Sequence, residues 1–110
     1  MIRYTTPTIS LIVEGVDLTS KDVYVTLEQG KHELTKKGSD LTISTETVQQ
    51  VTNTLISFTL SQAESAAFKL SASAAVQVNW ISSAGVRTAT EIKTINILKN
   101  LLEEVITYGD

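Results

Sequence analysis

His32 is the only histidine of the chain, and it stands beside Glu33. An imidazole next to a carboxylate is the pairing a general base needs. Catalysis or metal binding also requires further groups at the same point, and no Asp/Glu/His cluster surrounds this pair in the sequence. His32 therefore reads as a surface or edge histidine near a hairpin turn. Asp17, Asp22 and Asp40 are scattered through turn-like sequence, where carboxylates bond nearby backbone N–H groups. A calcium loop would alternate its oxygen ligands closely, and these do not. Glu103-Glu104 offers two carboxylates, but sequence neighbours do not face one glycosidic bond, so they read as a solvated pair. The serines lie outside any nucleophile elbow. There is no glycine-rich phosphate loop. Cysteine is absent, which excludes disulfides and thiolate chemistry. The residues predict no catalytic activity, no cofactor, no metal site and no small-molecule substrate.

The formal charge of -3 lacks the basic stripe that nucleic-acid binding uses. Lys36-Lys37 is the one basic doublet, and Gly38-Ser39-Asp40 follows it directly, which makes it a turn tip. No apolar run approaches the ~20 residues that span a bilayer. No apolar stretch of signal-peptide type follows Met1. Neither nucleic acid nor membrane is expected as a partner.

With chemistry set aside, the elements carry the argument. Val, Ile and Thr are abundant, and these types suit a pleated, half-buried surface. Ile9, Leu11 and Val13 alternate with Ser10, Ile12 and Glu14 as a first strand ending at Gly15. Val23, Val25 and Leu27 mark a second, and His32 to Thr35 a short return strand after Gln29-Gly30. Leu41 to Ser44 is a fourth, short strand. Thr45 to Asn53 reads as an edge strand carrying Val48 and Val51, or as a loop. Leu55 to Leu60 is a further strand. Ser61-Gln-Ala-Glu64 has the form of a capping box and predicts a short helix over Ser61 to Lys69, with Ala63, Ala66, Ala67 and Phe68 inward. Ser71 to Ala74 is a loop of small residues. Val76, Val78 and Trp80 share one strand face. Val86 to Ile97 returns beside them after a turn at Ser83-Ala-Gly85, with a phase shift near Thr94 that implies a bulge or two covered faces.

About eight strands separated by short turns predict an all-β fold, an immunoglobulin-like two-sheet sandwich over residues 1–99. The expected core is Ile9, Leu11, Val13, Val23, Val25, Leu27, Ile56, Phe58, Leu60, Val76, Val78 and Trp80. Residues 100–110 form an apolar tail, a short helix with Asn100 at its N-cap or an extended arm. A helix this short is not stable alone in water, so the tail must pack on its own core or on a neighbour. Leu101, Leu102, Val105 and Ile106 are the candidate partner-binding residues, with Glu103 and Glu104 on the solvated side.

Several stretches carry a resemblance. They are Ile2-Arg-Tyr-Thr-Thr-Pro7, Val13-Glu-Gly-Val-Asp-Leu18, Val23-Tyr-Val-Thr26, Thr59-Leu-Ser-Gln62, Val76-Gln-Val-Asn-Trp80 and Asn100-Leu-Leu-Glu-Glu-Val-Ile106. Across almost its whole length the chain resembles small immunoglobulin-like structural proteins of tailed phages and prophages of Gram-positive bacteria. Its second half is similar to the N-terminal sandwich of phage baseplate upper proteins, which continue into a long further region. The resemblance implies a virion or assembly component of the tail, neck or baseplate, made in the host cytoplasm. Its partners would be other phage structural proteins, including further copies of itself. Two other readings suit a small, mildly acidic sandwich: an accessory or inhibitory protein that binds a host target, and a carbohydrate-binding or adhesive module.

Overall fold

The computed structural model describes residues 1–70 and 72–109; Ser71 and Asp110, which fall in the predicted small-residue loop and tail, lie outside the described residues. Eight strands form two antiparallel sheets that pack face to face. The first sheet holds β1 (Thr8–Val13), β4 (Thr42–Val48) and β5 (Val51–Thr59) in the order β1-β5-β4. The second holds β2 (Asp22–Gln29), β3 (His32–Lys37), β6 (Ala74–Ile81), β7 (Arg87–Ala89) and β8 (Lys93–Ile95). Its order is β3-β2-β6-β7, with β8 also on β6. Read from the second strand of an immunoglobulin sandwich onward, these orders are B-E-D and C′-C-F-G. The fold is thus an immunoglobulin-like all-β sandwich. Among the described residues, no strand flanks β1 on the side away from β5.

The core follows the alternation of the strands. Val23, Val25 and Leu27 of β2 lie opposite Trp80, Val78 and Val76 of β6 and, Trp80 apart, are almost fully buried. Ile56, Phe58 and Leu60 supply the facing layer. Trp80 has the predicted phase and packs against the core but is only half-buried, since it also lines a surface depression. Ile9 and Leu11 also point inward yet are half-buried, since β1 lies at the margin of its sheet. The core further takes in Leu18, Leu41, Phe68 and Ala74, which lie at or beyond strand ends where no alternation marks them.

Thr45 to Asn53 is strand rather than loop: it ends the edge strand β4 with Val48 and begins β5 with Val51. It closes a β4–β5 hairpin through Gln49 and Gln50, both at positive φ (50° and 68°). That is the backbone of a type I′ turn, here built without the Gly or Asn that usually supplies it. The predicted final strand is broken. Between β7 and β8 the register on β6 slips by one residue, which is a bulge. Thr90 sits at the break. Its N–H donates to Val78 O (2.9 Å), while its hydroxyl oxygen accepts from Val78 N–H (3.1 Å) and takes the place of a ladder carbonyl.

Helix α1 (Gln62–Ala66) starts as predicted. Ser61 Oγ accepts from Glu64 N–H (3.1 Å), and Glu64 Oε1 accepts from Ser61 N–H (2.8 Å). The helix is shorter than expected, and Ala63 and Ala67 face solvent. The buried helical residue is Ser65, whose hydroxyl donates to Thr5 O (2.7 Å) and ties α1 to the entry of β1. Phe68 beyond the helix is fully buried, with the His32 ring edge-on at 4.9 Å. His32 is therefore an edge histidine, at the start of the margin strand β3, and a half-buried packing residue rather than a surface one.

Candidate functional site

The first residues and the last converge at one end of the sandwich. Ile2 pairs with Leu98 in a short parallel bridge, with Arg3 N–H donating to Leu98 O (3.0 Å) and Leu98 N–H to Met1 O (2.7 Å). This bridge sets Arg3 between the end of α1 and the tail. Its Nη2 donates to Ala66 O (2.8 Å), an end carbonyl of α1, where a cation complements the helix terminus. Its Nη1 pairs with Glu103 at 3.3 Å, and the guanidinium lies 5.3 Å over the Tyr4 ring. The Arg3 side chain is 17% exposed, so the pair with Glu103 is partly shielded from solvent.

The tail is fastened along this end by polar groups. Asn100 Nδ2 donates to Arg3 O (3.0 Å), and its Oδ1 accepts from Leu102 N–H (3.1 Å). That second bond is the N-cap contact the sequence implies, but no helix follows it; the tail takes the arm form. Further on, the Gln62 amide clasps the backbone of Ile106: Nε2 donates to Ile106 O (2.7 Å) and Oε1 accepts from Ile106 N–H (2.8 Å).

These attachments leave the apolar side chains outside. Leu101 is 94% exposed, and Leu102, Val105 and Ile106 are each at least half exposed. Tyr108 is fully exposed. Ile2 and Leu98, bridge partners, add exposed apolar area beside the tail, and Leu70 adds more across a shallow hollow that it shares with Leu98. Exposed apolar side chains gathered at one place mark a protein contact site more often than chance surface does. All four sequence-predicted site residues lie in this patch. Glu103 is not simply solvated, because it anchors the tail to Arg3. Sequence reasoning missed Arg3 and Gln62 as anchors. The one available signal was that Arg3 is one of only two arginines.

No protein-family model, curated protein or solved structure matches this chain.

Other surfaces offer less. Among the described residues, no three His, Asp or Glu side chains gather as they would to hold a metal. No helix is long and apolar enough to cross a membrane. A depression of about 370 Å³ on the outer face of the second sheet is lined by Tyr24, Thr26, Thr35, Asn79, Trp80, Ile81 and Arg87. Of its two aromatics, Trp80 is half-buried against the core and Tyr24 is 37% exposed, a poor platform for stacking a sugar. Arg87 is engaged with Asn79 Oδ1 at 3.2 Å.

Proposed function

We propose that this chain is a non-enzymatic structural or assembly protein of a tailed phage or prophage, in the tail, neck or baseplate region. It acts through protein–protein contacts, with the arm from Asn100 as a docking segment. It is made in the bacterial cytoplasm and ends in the virion. The resemblance of its strand and tail sequences to such proteins supports the class. The observation that carries the contact reading is the arm itself: Leu101, Leu102, Val105 and Ile106 are exposed while polar bonds hold the backbone in place. An arm that stabilised only its own subunit would turn those side chains inward.

Deletion of Asn100 to Asp110 tests this, with Leu101→Asp as the milder variant. Both are expected to lower the sedimentation coefficient of the assembled chain and to leave its melting temperature within about 2 °C, a change well below 1 kcal/mol for a domain of this size. A large drop in melting temperature in a chain that was monomeric beforehand would overturn the contact reading. Mass spectrometry of purified virions separates a resident component from an accessory protein that binds a host target.

A further inference from the structure

The margin of the first sheet along β1 is open in three respects. The first is its hydrogen bonding. Leu60 N–H donates to Pro7 O (3.0 Å), and β1 runs antiparallel to β5 with Thr8 opposite Thr59. In such a ladder, residues that exchange bonds with their partner alternate with residues that do not. Ile9, Leu11 and Val13 therefore bond to β5, while Thr8, Ser10 and Ile12 turn both backbone groups away from it. The second is packing. A hollow of about 390 Å³ opens between β1 and the outer strands of the second sheet, and it reaches Leu11, Val13, Val76 and Val78. Ile9 and Leu11 point into the sandwich and are still only half-buried.

The third is composition. Exposed sheet edges are ordinarily guarded by charge, proline, shortness or a bulge. The margin strand β3 carries Glu33, Lys36 and Lys37. Strands β7 and β8 are three residues each and separated by the bulge. Strand β4 bears Glu46, and its outer half extends beyond the core with Thr45 and Thr47 exposed. Strand β1, Thr-Ile-Ser-Leu-Ile-Val, has no charge, no proline and no glycine.

We propose that two copies of the chain pair β1 against β1, antiparallel about a two-fold axis at Ser10, so that two three-stranded sheets become one of six strands. The free backbone groups dictate the register. Only Thr8, Ser10 and Ile12 have bonds to offer, so they must meet the same residues of the second copy. Ser10 is the middle one, and centring there gives the longest overlap: Thr8 faces Ile12 of the second copy, Ser10 faces Ser10, and Ile12 faces Thr8. Each of these pairs exchanges both backbone bonds. The same register sets Ile9 beside Leu11 of the second copy, so the half-buried inner side chains cover each other and the two cores join. The rim of the hollow carries Glu14, Glu91 and Lys93, so charges of both signs line the two-fold contact. A closed two-fold dimer is also the commonest form of symmetric assembly. This contact is independent of the arm and does not rest on the phage reading.

The chain has no cysteine, which makes disulfide trapping a clean probe. In a bond-exchanging antiparallel pair the Cα atoms lie about 5.5 Å apart, inside the range of about 4.4–6.8 Å that a disulfide spans. Ser10→Cys is expected to form a covalent dimer under mild oxidation. Thr8→Cys is the control: it is exposed on the same strand, but its symmetry mate is displaced by about 13 Å along the strand. Cross-linking at Ser10 should be at least tenfold faster. In sedimentation velocity the unmodified chain should be at least dimeric. Ser10→Lys, which sets like charges directly opposite each other, should sediment as a smaller species than the unmodified chain, and circular dichroism should show it folded. Equal cross-linking rates at the two positions, an unmodified chain monomeric at the highest concentration reached, or a Ser10→Lys chain that sediments as the unmodified chain does would each overturn the proposal.

Discussion

The β2–β6 pair and the C-terminal arm both carry apolar residues, and they use them in opposite ways. Along β2 and β6, Val23, Val25, Leu27, Val76 and Val78 are at most 4% exposed. Burial of each such side chain contributes roughly 1.5–3 kcal/mol. Along the arm, Leu101, Val105 and Ile106 are 54–94% exposed, and the holding contacts are polar. A net hydrogen bond is worth about 0.5–1.5 kcal/mol, and an exposed ion pair about 0–1 kcal/mol. The difference teaches that subunit stability resides in the sandwich. The arm is placed rather than packed, and its apolar area is left for something else.

The sharpest break of that comparison comes from one substitution on each side. Phe68→Ala should cost about 3–5 kcal/mol, since it empties a fully buried aromatic site beside His32. That is a large share of a typical margin of about 5–15 kcal/mol. Leu101→Ala should cost less than about 0.5 kcal/mol. Urea denaturation of both variants measures the contrast. A cost at Leu101 comparable to that at Phe68 would mean that the arm belongs to the core.

Phe68 also shows where the sequence is legible. Alternation identified the inner faces of β1, β2, β5 and β6 because a strand repeats every two residues and one face is buried. The capping box at Ser61 was legible because its two side-chain bonds are local. Leu18 and Leu41 are buried from turn segments, where nothing periodic marks them. The β4–β5 hairpin was hidden because Gln49-Gln50 adopts positive φ without the residues that favour it. The break at Thr90 depends on a hydroxyl replacing a carbonyl across two strands, which is a tertiary event. At the site, the apolar residues of the arm were readable from composition. Their anchors were not, since Arg3 and Gln62 lie 100 and 44 residues from the groups they hold.

A middle-sized effect belongs to Glu64, which joins α1 to the second sheet. Burial alone would push its carboxyl up. Ser61 N–H, the Lys36 ammonium at 2.9 Å and the Ser61 side chain outweigh that and hold it below the ordinary value. A lowered carboxylate stabilises the fold above its unfolded pKa, and that stabilisation disappears as pH falls through the folded one. Glu64→Gln should therefore cost about 1–2 kcal/mol at neutral pH, after discounting for the 28% exposure of the side chain. The gap between variant and parent should close as pH falls below the normal glutamate range. Urea melts at neutral and acid pH provide the measurement. A gap that persists unchanged at acid pH would assign the effect to packing.

The smallest effect on stability tests the arm most directly. Gln62 is the far anchor, and two bonds to Ile106 link it to that segment. Gln62→Ala removes both while leaving the Ser61–Glu64 cap and the Arg3–Glu103 pair in place. Solvent replaces bonds lost at an exposed site, so the global unfolding free energy should change by no more than about 0.5 kcal/mol. Local opening is another quantity. Elements with few buried contacts open at free energies far below the global one, and the Ile106 N–H depends on Gln62 Oε1 for protection. Its amide exchange should accelerate at least several-fold, while exchange at Val25 and Val78 stays unchanged. If Gln62→Ala slows nothing and speeds nothing at Ile106, the clasp does not hold the arm. If it lowers global stability by more than about 1 kcal/mol, arm and sandwich form one cooperative unit, and the contrast between a packed body and a placed arm fails.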